Sequence, residues 1–198
     1  MRVITGSARG TKLLTPEGMH TRPTADKVKE AMFSIIQFEI EGRSVLDLFG
    51  GTGQLAIEAL SRGAKQAVIV DNETSAVQLI RENLSRTKLQ GRAAVVQKDY
   101  EQFLMHTREK FDLIFLDPPY EGRLLETALT LISEIDILSN GGIIICERPS
   151  GKTIPDQWPG LIPSKDYRYG KTTLCLFRRQ SQTIGRVDRE NGHLSRQL

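Results

Sequence analysis

The sequence predicts a doubly wound, mostly parallel α/β sheet, on three observations. From Ser44 onward, apolar segments of strand length alternate with segments of helical periodicity, the pattern of parallel strands joined by crossover helices. Glycines and acids gather where those strands end, the edge at which such sheets bind ligands. Near the C-terminus, Tyr167–Tyr169 and Thr172–Phe177 flank Gly170-Lys171, an antiparallel hairpin that would close the sheet.

The elements follow in order. Arg2–Thr5 and Thr11–Thr15, joined by a loop holding Gly6 and Gly10, predict a small N-terminal β-hairpin. Thr24 stands ahead of a helical pattern carrying Val28, Met32, Ile35 and Ile36 on one side and ending near Gly42. Ser44–Phe49 is the first strand and runs into Gly50-Gly51-Thr52-Gly53; a helix then reaches Arg62 and stops at Gly63. Ala67–Asp71 is the second strand, with a helix over 73–87, and Ala93–Gln97 the third, with a short helix over Glu101–Arg108. Phe111–Leu116 is the fourth strand and leads directly into Asp117-Pro118-Pro119-Tyr120. A helix is expected over 123–138 and a fifth strand over Gly142–Glu147. The division is an extension over 1–23, a domain over 24–178 and a polar tail over 179–198.

Composition narrows the class. The chain has 198 residues, 39% hydrophobic and 26% charged, which fits one soluble domain with a substantial core. No apolar run approaches the roughly 18 residues of a membrane span, and the start Met-Arg-Val-Ile-Thr-Gly lacks an apolar leader, so a cytoplasmic protein is expected. Cys146 and Cys175 sit inside apolar runs without metal or disulfide spacing and are expected in the core. His20, His106 and His193 form no pattern, and no metal is expected. Charge is uneven: residues 1–30 carry +3, 31–177 carry −3 and 178–198 carry +3. An acidic body with basic ends suits contact with a polyanion as well as it suits ordinary surface.

The glycine loop carries the first chemical signal. Gly51-x-Gly53-x-x-Ala56, followed by Asp71 at ribose-binding distance, satisfies a dinucleotide fingerprint. Asp47 opposes that reading, because a carboxylate at the strand end repels a pyrophosphate and attracts an ammonium group. No hydride-transfer residues accompany the loop. A cofactor with a cationic amino-acid end and an adenosine end satisfies both acids, and S-adenosylmethionine is such a molecule. Asp99 could accept from its adenine amine with Tyr100 beside the ring, although Asp47 and Asp99 would also serve as helix caps.

Asp117-Pro118-Pro119-Tyr120 carries the second signal. Consecutive prolines fix the backbone, and here they stand between an acceptor and an aromatic ring. A carboxylate and a proline carbonyl can hold both hydrogens of an exocyclic amine while tyrosine stacks on the base. Held so, the amine nitrogen turns its lone pair toward an incoming methyl group, and placement and electrostatics supply the acceleration. Carbon-5 methylation of a pyrimidine would need an attacking cysteine, and both cysteines are expected within strands.

These residues resemble class I S-adenosylmethionine-dependent methyltransferases acting on amino nitrogens, which have a Rossmann-like sheet. The N-terminal segments Arg2–Gly6, Gly10–Leu13, Arg22–Thr24 and Lys27–Phe33, with Leu46–Phe49 and Glu58–Ala64, are similar to the RsmD-like bacterial 16S rRNA guanine-N2 methyltransferases over about residues 1–178. The resemblance implies methylation of the exocyclic N2 of one guanine in small-subunit rRNA; naked 16S rRNA, the 30S subunit and an assembly intermediate are the candidate substrates, and a monomer is expected. The catalytic set is then Asp117, Pro118, Pro119 and Tyr120. The cofactor set is Thr24, Asp47, Phe49, Gly51, Gly53, Asp71, Asn72, Asp99 and Tyr100, with the Arg22–Thr24 segment over the methionine end. Arg2, Arg9, Lys12 and Arg22 are expected to grip RNA phosphates. Gly50-Gly51-Thr52 replaces the Ala-Gly-Ser common in the family, a small-for-small exchange. An adenine-N6 methyltransferase and a non-catalytic S-adenosylmethionine-binding module are the alternatives.

Overall fold

The computed structural model describes residues 1–16, 23–120, 122–155 and 157–179. Helices are α1 (Pro23–Ile35), α2 (Gln54–Ser61), α3 (Thr74–Thr87), α4 (Tyr100–His106) and α5 (Leu124–Ile135). Strands are β1 (Ser44–Asp47), β2 (Gln66–Asp71), β3 (Ala93–Gln97), β4 (Phe111–Leu116), β5 (Leu138–Pro149), β6 (Leu161–Pro163), β7 (Tyr167–Tyr169) and β8 (Thr172–Arg179). They form one sheet in the order β3-β2-β1-β4-β5-β8-β6, with β7 also on β8. β1 to β5 run parallel, and β8 antiparallel to β5. This is the expected Rossmann-like fold, with the order reversing between β1 and β4, where such sheets hold their ligands.

Strand alternation builds two cores. Val45, Ile69, Phe115 and Ile145 face the layer holding Met32, Phe33, Ile57 and Ile80. Leu46, Val70, Leu116 and Cys146 face the layer holding Leu104, Leu129 and Trp158. Among the described residues, no helix is long and apolar enough to cross a membrane.

α2 is buried on every side, from Leu55 to Ser61, because the N-terminal segment covers the flank turned away from the sheet. Glu58, fully buried, lies at the centre of this contact. Its carboxylate accepts from the Ile4 and Thr5 amides at 2.8 and 3.0 Å and from Arg62 Nε at 2.8 Å, with Lys29 Nζ 3.9 Å away. Ser61 Oγ accepts from the Ala8 amide and donates to the Thr5 carbonyl. Gly6 comes so close that a Cβ there would lie 1.8 Å from the Ser61 carbonyl oxygen, and its φ is +86°; only glycine fits.

The expected hairpin forms: Arg2 and Lys12 make an antiparallel bridge, flanked by Val3 N on Thr11 O, Gly10 N on Val3 O and Leu13 N on Met1 O, while the Ile4, Thr5 and Ala8 amides turn to side chains of α2. The first helix ends earlier than expected. Ile36 and Ile40 continue its apolar spacing and are buried, but the chain after Ile35 proceeds by separate turns, with Glu39 N on Ile36 O and Arg43 N on Ile40 O. At the other end, α5 stops at Asp136, whose φ is +56°, and β5 begins at Leu138, inside the expected helix. β6, not expected from sequence, pairs with β8 at Leu161–Pro163. The tail beyond Arg179 lies outside the described residues.

Candidate active site

β1 delivers Asp47 into the interior at the carboxyl edge of the sheet, 1% exposed. Its Oδ2 accepts from the Ala56 amide at 3.3 Å. Its Oδ1 is buried and has no hydrogen-bond partner among the described residues. Burial, with Asp71 nearby, raises its pKa to about 7. A buried carboxylate oxygen in this position suits a cationic ligand group, which would satisfy it and restore its charge.

The glycine loop folds back over this acid. Gly50 N donates to Val70 O at 2.8 Å and Gly53 N to Gly50 O at 2.7 Å. Gly51 and Gly53 take φ of +54° and +75°, which the expected tight turn requires. Gly50 is tighter still: a Cβ would lie 2.6 Å from Ile69 Cγ2 and 3.2 Å from Val70 O. Asp71, at the end of β2, accepts from the Gly51 amide at 2.8 Å and the Glu73 amide at 2.9 Å, so it pins the loop to the next strand. Asn72 beside it is exposed.

Asp99 caps α4, accepting through Oδ1 from Glu101 N at 2.9 Å and Gln102 N at 3.3 Å. The Phe49 and Tyr100 rings pack with centroids 5.1 Å apart, and Tyr100 donates to Glu101 Oε1 at 2.8 Å. Thr24 falls in the first turn of α1; Arg22 lies outside the described residues. The expected cofactor residues of β1, β2 and α4 thus gather along one edge, with Asp71 and Asp99 also holding backbone amides.

The fourth strand supplies the second acid. β1 and β4 pair with Asp47 opposite Phe115, and β4 and β5 with Leu116 opposite Cys146. The next residues on those two strands, Asp117 and Glu147, therefore stand side by side beyond the ladder. Burial raises Asp117 to about 8, with Glu147 and then Asp47 adding to the effect. Pro118 is buried, whereas Pro119 and Tyr120 are exposed. The Tyr120 hydroxyl donates to Glu147 Oε1 and lies 3.3 Å from Thr172 Oγ1; burial and the Glu147 bond raise it to about 12. A shallow open pocket lies here, bounded by Pro118, Pro119, Tyr120, Leu125, Glu147 and Lys152.

Glu147 was not singled out from sequence, although it closes the fifth strand at the edge where the other acids lie. Cys146 and Cys175 face each other across β5 and β8 and are both buried, in the core layer away from Asp47. Arg2, Arg9 and Lys12 are exposed, the Arg2–Lys12 bridge bringing two of them together. Arg86 joins them, its Nε donating to Lys12 O at 3.4 Å. Among the described residues, no group of three or more His, Cys, Asp or Glu could hold a metal ion.

Residues 1–178 match the family described as Conserved hypothetical protein 95. A Bacillus subtilis (strain 168) protein named "Putative rRNA methyltransferase YlbH" is 38% identical over 183 residues, covering 91% of this chain and 100% of the relative. The "Ribosomal RNA small subunit methyltransferase D" of Escherichia coli (strain K12) is 31% identical over 182 residues, covering 92% of this chain and 91% of the relative. Among solved structures, "Putative methyltransferase yhhF from Escherichia coli" is similar with a TM-score of 0.82 and 31% identity, covering 92% of this chain and 99% of that one.

Proposed function

The chain belongs to the Conserved hypothetical protein 95 family, RsmD-like class I methyltransferases that use S-adenosylmethionine, and on that footing we propose that it methylates the exocyclic N2 of a guanine in 16S rRNA of the small ribosomal subunit. The observation that carries this reading is the placement of Asp117 beside Glu147 by the β4–β5 register, next to a pocket lined by Pro118 and Tyr120 and with the buried Asp47 close enough to raise Asp117. The E. coli relative's name, a small-subunit rRNA methyltransferase, supports the choice of RNA.

Bound S-adenosylmethionine supplies an electrophilic methyl group. Asp47 receives the ammonium of its amino-acid end, for which the unpartnered Oδ1 is suited. Asp71 and Asn72 serve the ribose, and Asp99, Phe49 and Tyr100 the adenine, with Thr24 near the methionine end. The glycines let the backbone approach closely. Asp117 and the Pro118 carbonyl accept the two amine hydrogens of the target base, and Tyr120 stacks on its ring. This arrangement turns the nitrogen lone pair out of conjugation and fixes its direction. Asp117, in the ionised form that the donors of the bound base favour, then takes the proton that the amine must shed. Exposed Arg2, Arg9 and Lys12, with Arg22, grip phosphates around the target and set its register.

Incubating the protein with labelled S-adenosylmethionine and 30S subunits that lack the modification tests the reading. N2-methylguanosine in the digested rRNA is expected; N6-methyladenosine would overturn it.

A further inference from the structure

Glu147 is the acid in this pocket that the proposed transfer does not use. It lies next to Asp117 on the neighbouring strand by the Leu116–Cys146 register, and neighbouring strands run about 4.8 Å apart. One base edge can therefore meet both carboxylates. Oε1 accepts the Tyr120 hydroxyl, which orients the side chain, and a carboxylate retains acceptor capacity beyond one such bond.

Resting on the guanine-N2 reading above, we propose that Glu147 is the base-selecting residue, accepting the N1–H of the target guanine while Asp117 and Pro118 hold its N2 amine. A guanine presents N1–H and N2–H donors side by side with the O6 acceptor beyond them. An ionised carboxylate can only accept. It attracts N1–H and repels the bare N1 lone pair of adenine or of 2,6-diaminopurine, a discrimination by repulsion as well as attraction. Lys152 lines the same pocket; its Nζ donates to Gly122 O at 2.8 Å and lies 3.6 Å from Glu126 Oε1, and its remaining donor capacity matches O6. Burial raises Glu147 above the usual carboxylate range; the donors of a bound guanine favour its charged form.

The test separates base selection from transfer. Once the methylated position is mapped, 30S subunits are reconstituted with either guanosine or 2,6-diaminopurine nucleoside there, both of which keep the C2 amine. The parent should favour guanosine by at least about 100-fold in kcat/KM, since a site built for a hydrogen bond rejects an analogue lacking it. Glu147→Gln can donate to a bare N1, and its preference should fall to within about tenfold. Tyr120→Phe, which keeps the Glu147 carboxylate but removes the hydroxyl that orients it, should lower the preference less than Glu147→Gln does. S-adenosylhomocysteine affinity equal to the parent's shows that each variant is folded. An unchanged preference in Glu147→Gln overturns base selection and leaves the guanine-N2 reading standing. Absence of guanosine methylation by the parent overturns both.

Discussion

Asn83 donates from Nδ2 to the Thr52 carbonyl in the glycine loop at 2.9 Å. The same amide group donates to Leu14 O at 3.1 Å, and its Oδ1 accepts from Leu14 N at 2.7 Å. One fully buried side chain on α3 thus ties the N-terminal segment to the loop expected to hold the cofactor. Asn83→Leu would strand buried backbone groups on both sides, at about 1–3 kcal/mol for each unsatisfied group. It should lower the denaturation midpoint and weaken S-adenosylhomocysteine binding, read by urea titration and calorimetry. A destabilised variant with parental affinity would show that Asn83 serves the fold alone.

The Glu58 cluster predicts a larger loss. Its carboxylate holds Ile4 N, Thr5 N and Arg62, with Lys29 close by. Glu58→Ala removes the acceptor of the Ile4 and Thr5 amides and of Arg62 and should cost about 3–5 kcal/mol, read as the change in urea unfolding free energy.

Asp71 bridges the loop to β2 through Gly51 N and Glu73 N. Asp71→Ala should raise the Kd for S-adenosylhomocysteine by about tenfold or more, the loss of one or two charge-assisted bonds, while single-turnover transfer at saturating cofactor changes far less. Equal affinity in variant and parent would remove Asp71 from the cofactor site.

The raised acids set the pH dependence. Asp47 is near 7 and Asp117 near 8 in the folded protein, above the ordinary carboxylate value. The folded chain therefore binds more protons than the unfolded one between about pH 4 and 8, and their contribution to stability falls as pH rises through that window. Ligand binding runs the other way. A cationic group on Asp47 favours the ionised acid, so binding releases a proton and S-adenosylhomocysteine affinity rises from about pH 6 to about pH 8. Calorimetry in two buffers of different ionisation enthalpy should show that release. Proton uptake would contradict the placement of the ammonium on Asp47.

Neutralising Arg9 and Lys12 together should weaken RNA binding and lower the salt slope by about 1–2. Arg86, beside Lys12, should add to the loss. An unchanged slope would return these residues to plain surface.

The core strands were legible because their signals are local. Ala93–Gln97 and Phe111–Leu116 are bounded in sequence where they are bounded in space, and alternation with helices dictated the parallel sheet. The failures came where tertiary contacts decided. Alternation disclosed the N-terminal hairpin, but not that the Ile4, Thr5 and Ala8 amides on its outer side and loop would go to Glu58 and Ser61, more than fifty residues away. Ile36 and Ile40 kept helical spacing through turns that are not helix. At the site, Asp47 and Asp117 stood out as acids at strand ends beside a glycine or proline signal, and Asp71 as an acid at a strand end at ribose-binding distance after the glycine loop. Glu147 has no such marker and gains its meaning only from the β4–β5 register. Asn83 likewise reads as one polar residue on an amphipathic helix until its partners are seen.

The most direct measurement gives unmodified 30S subunits and labelled S-adenosylmethionine to the parent and to Asp117→Ala in parallel, with nucleosides resolved by mass spectrometry. The expected result is N2-methylguanosine as the labelled nucleoside from the parent. The variant should transfer about 100- to 1,000-fold more slowly at S-adenosylhomocysteine affinity close to the parent's. Label in a different nucleoside, or undiminished transfer by Asp117→Ala, would contradict the assignment of this pocket to guanine-N2 methylation.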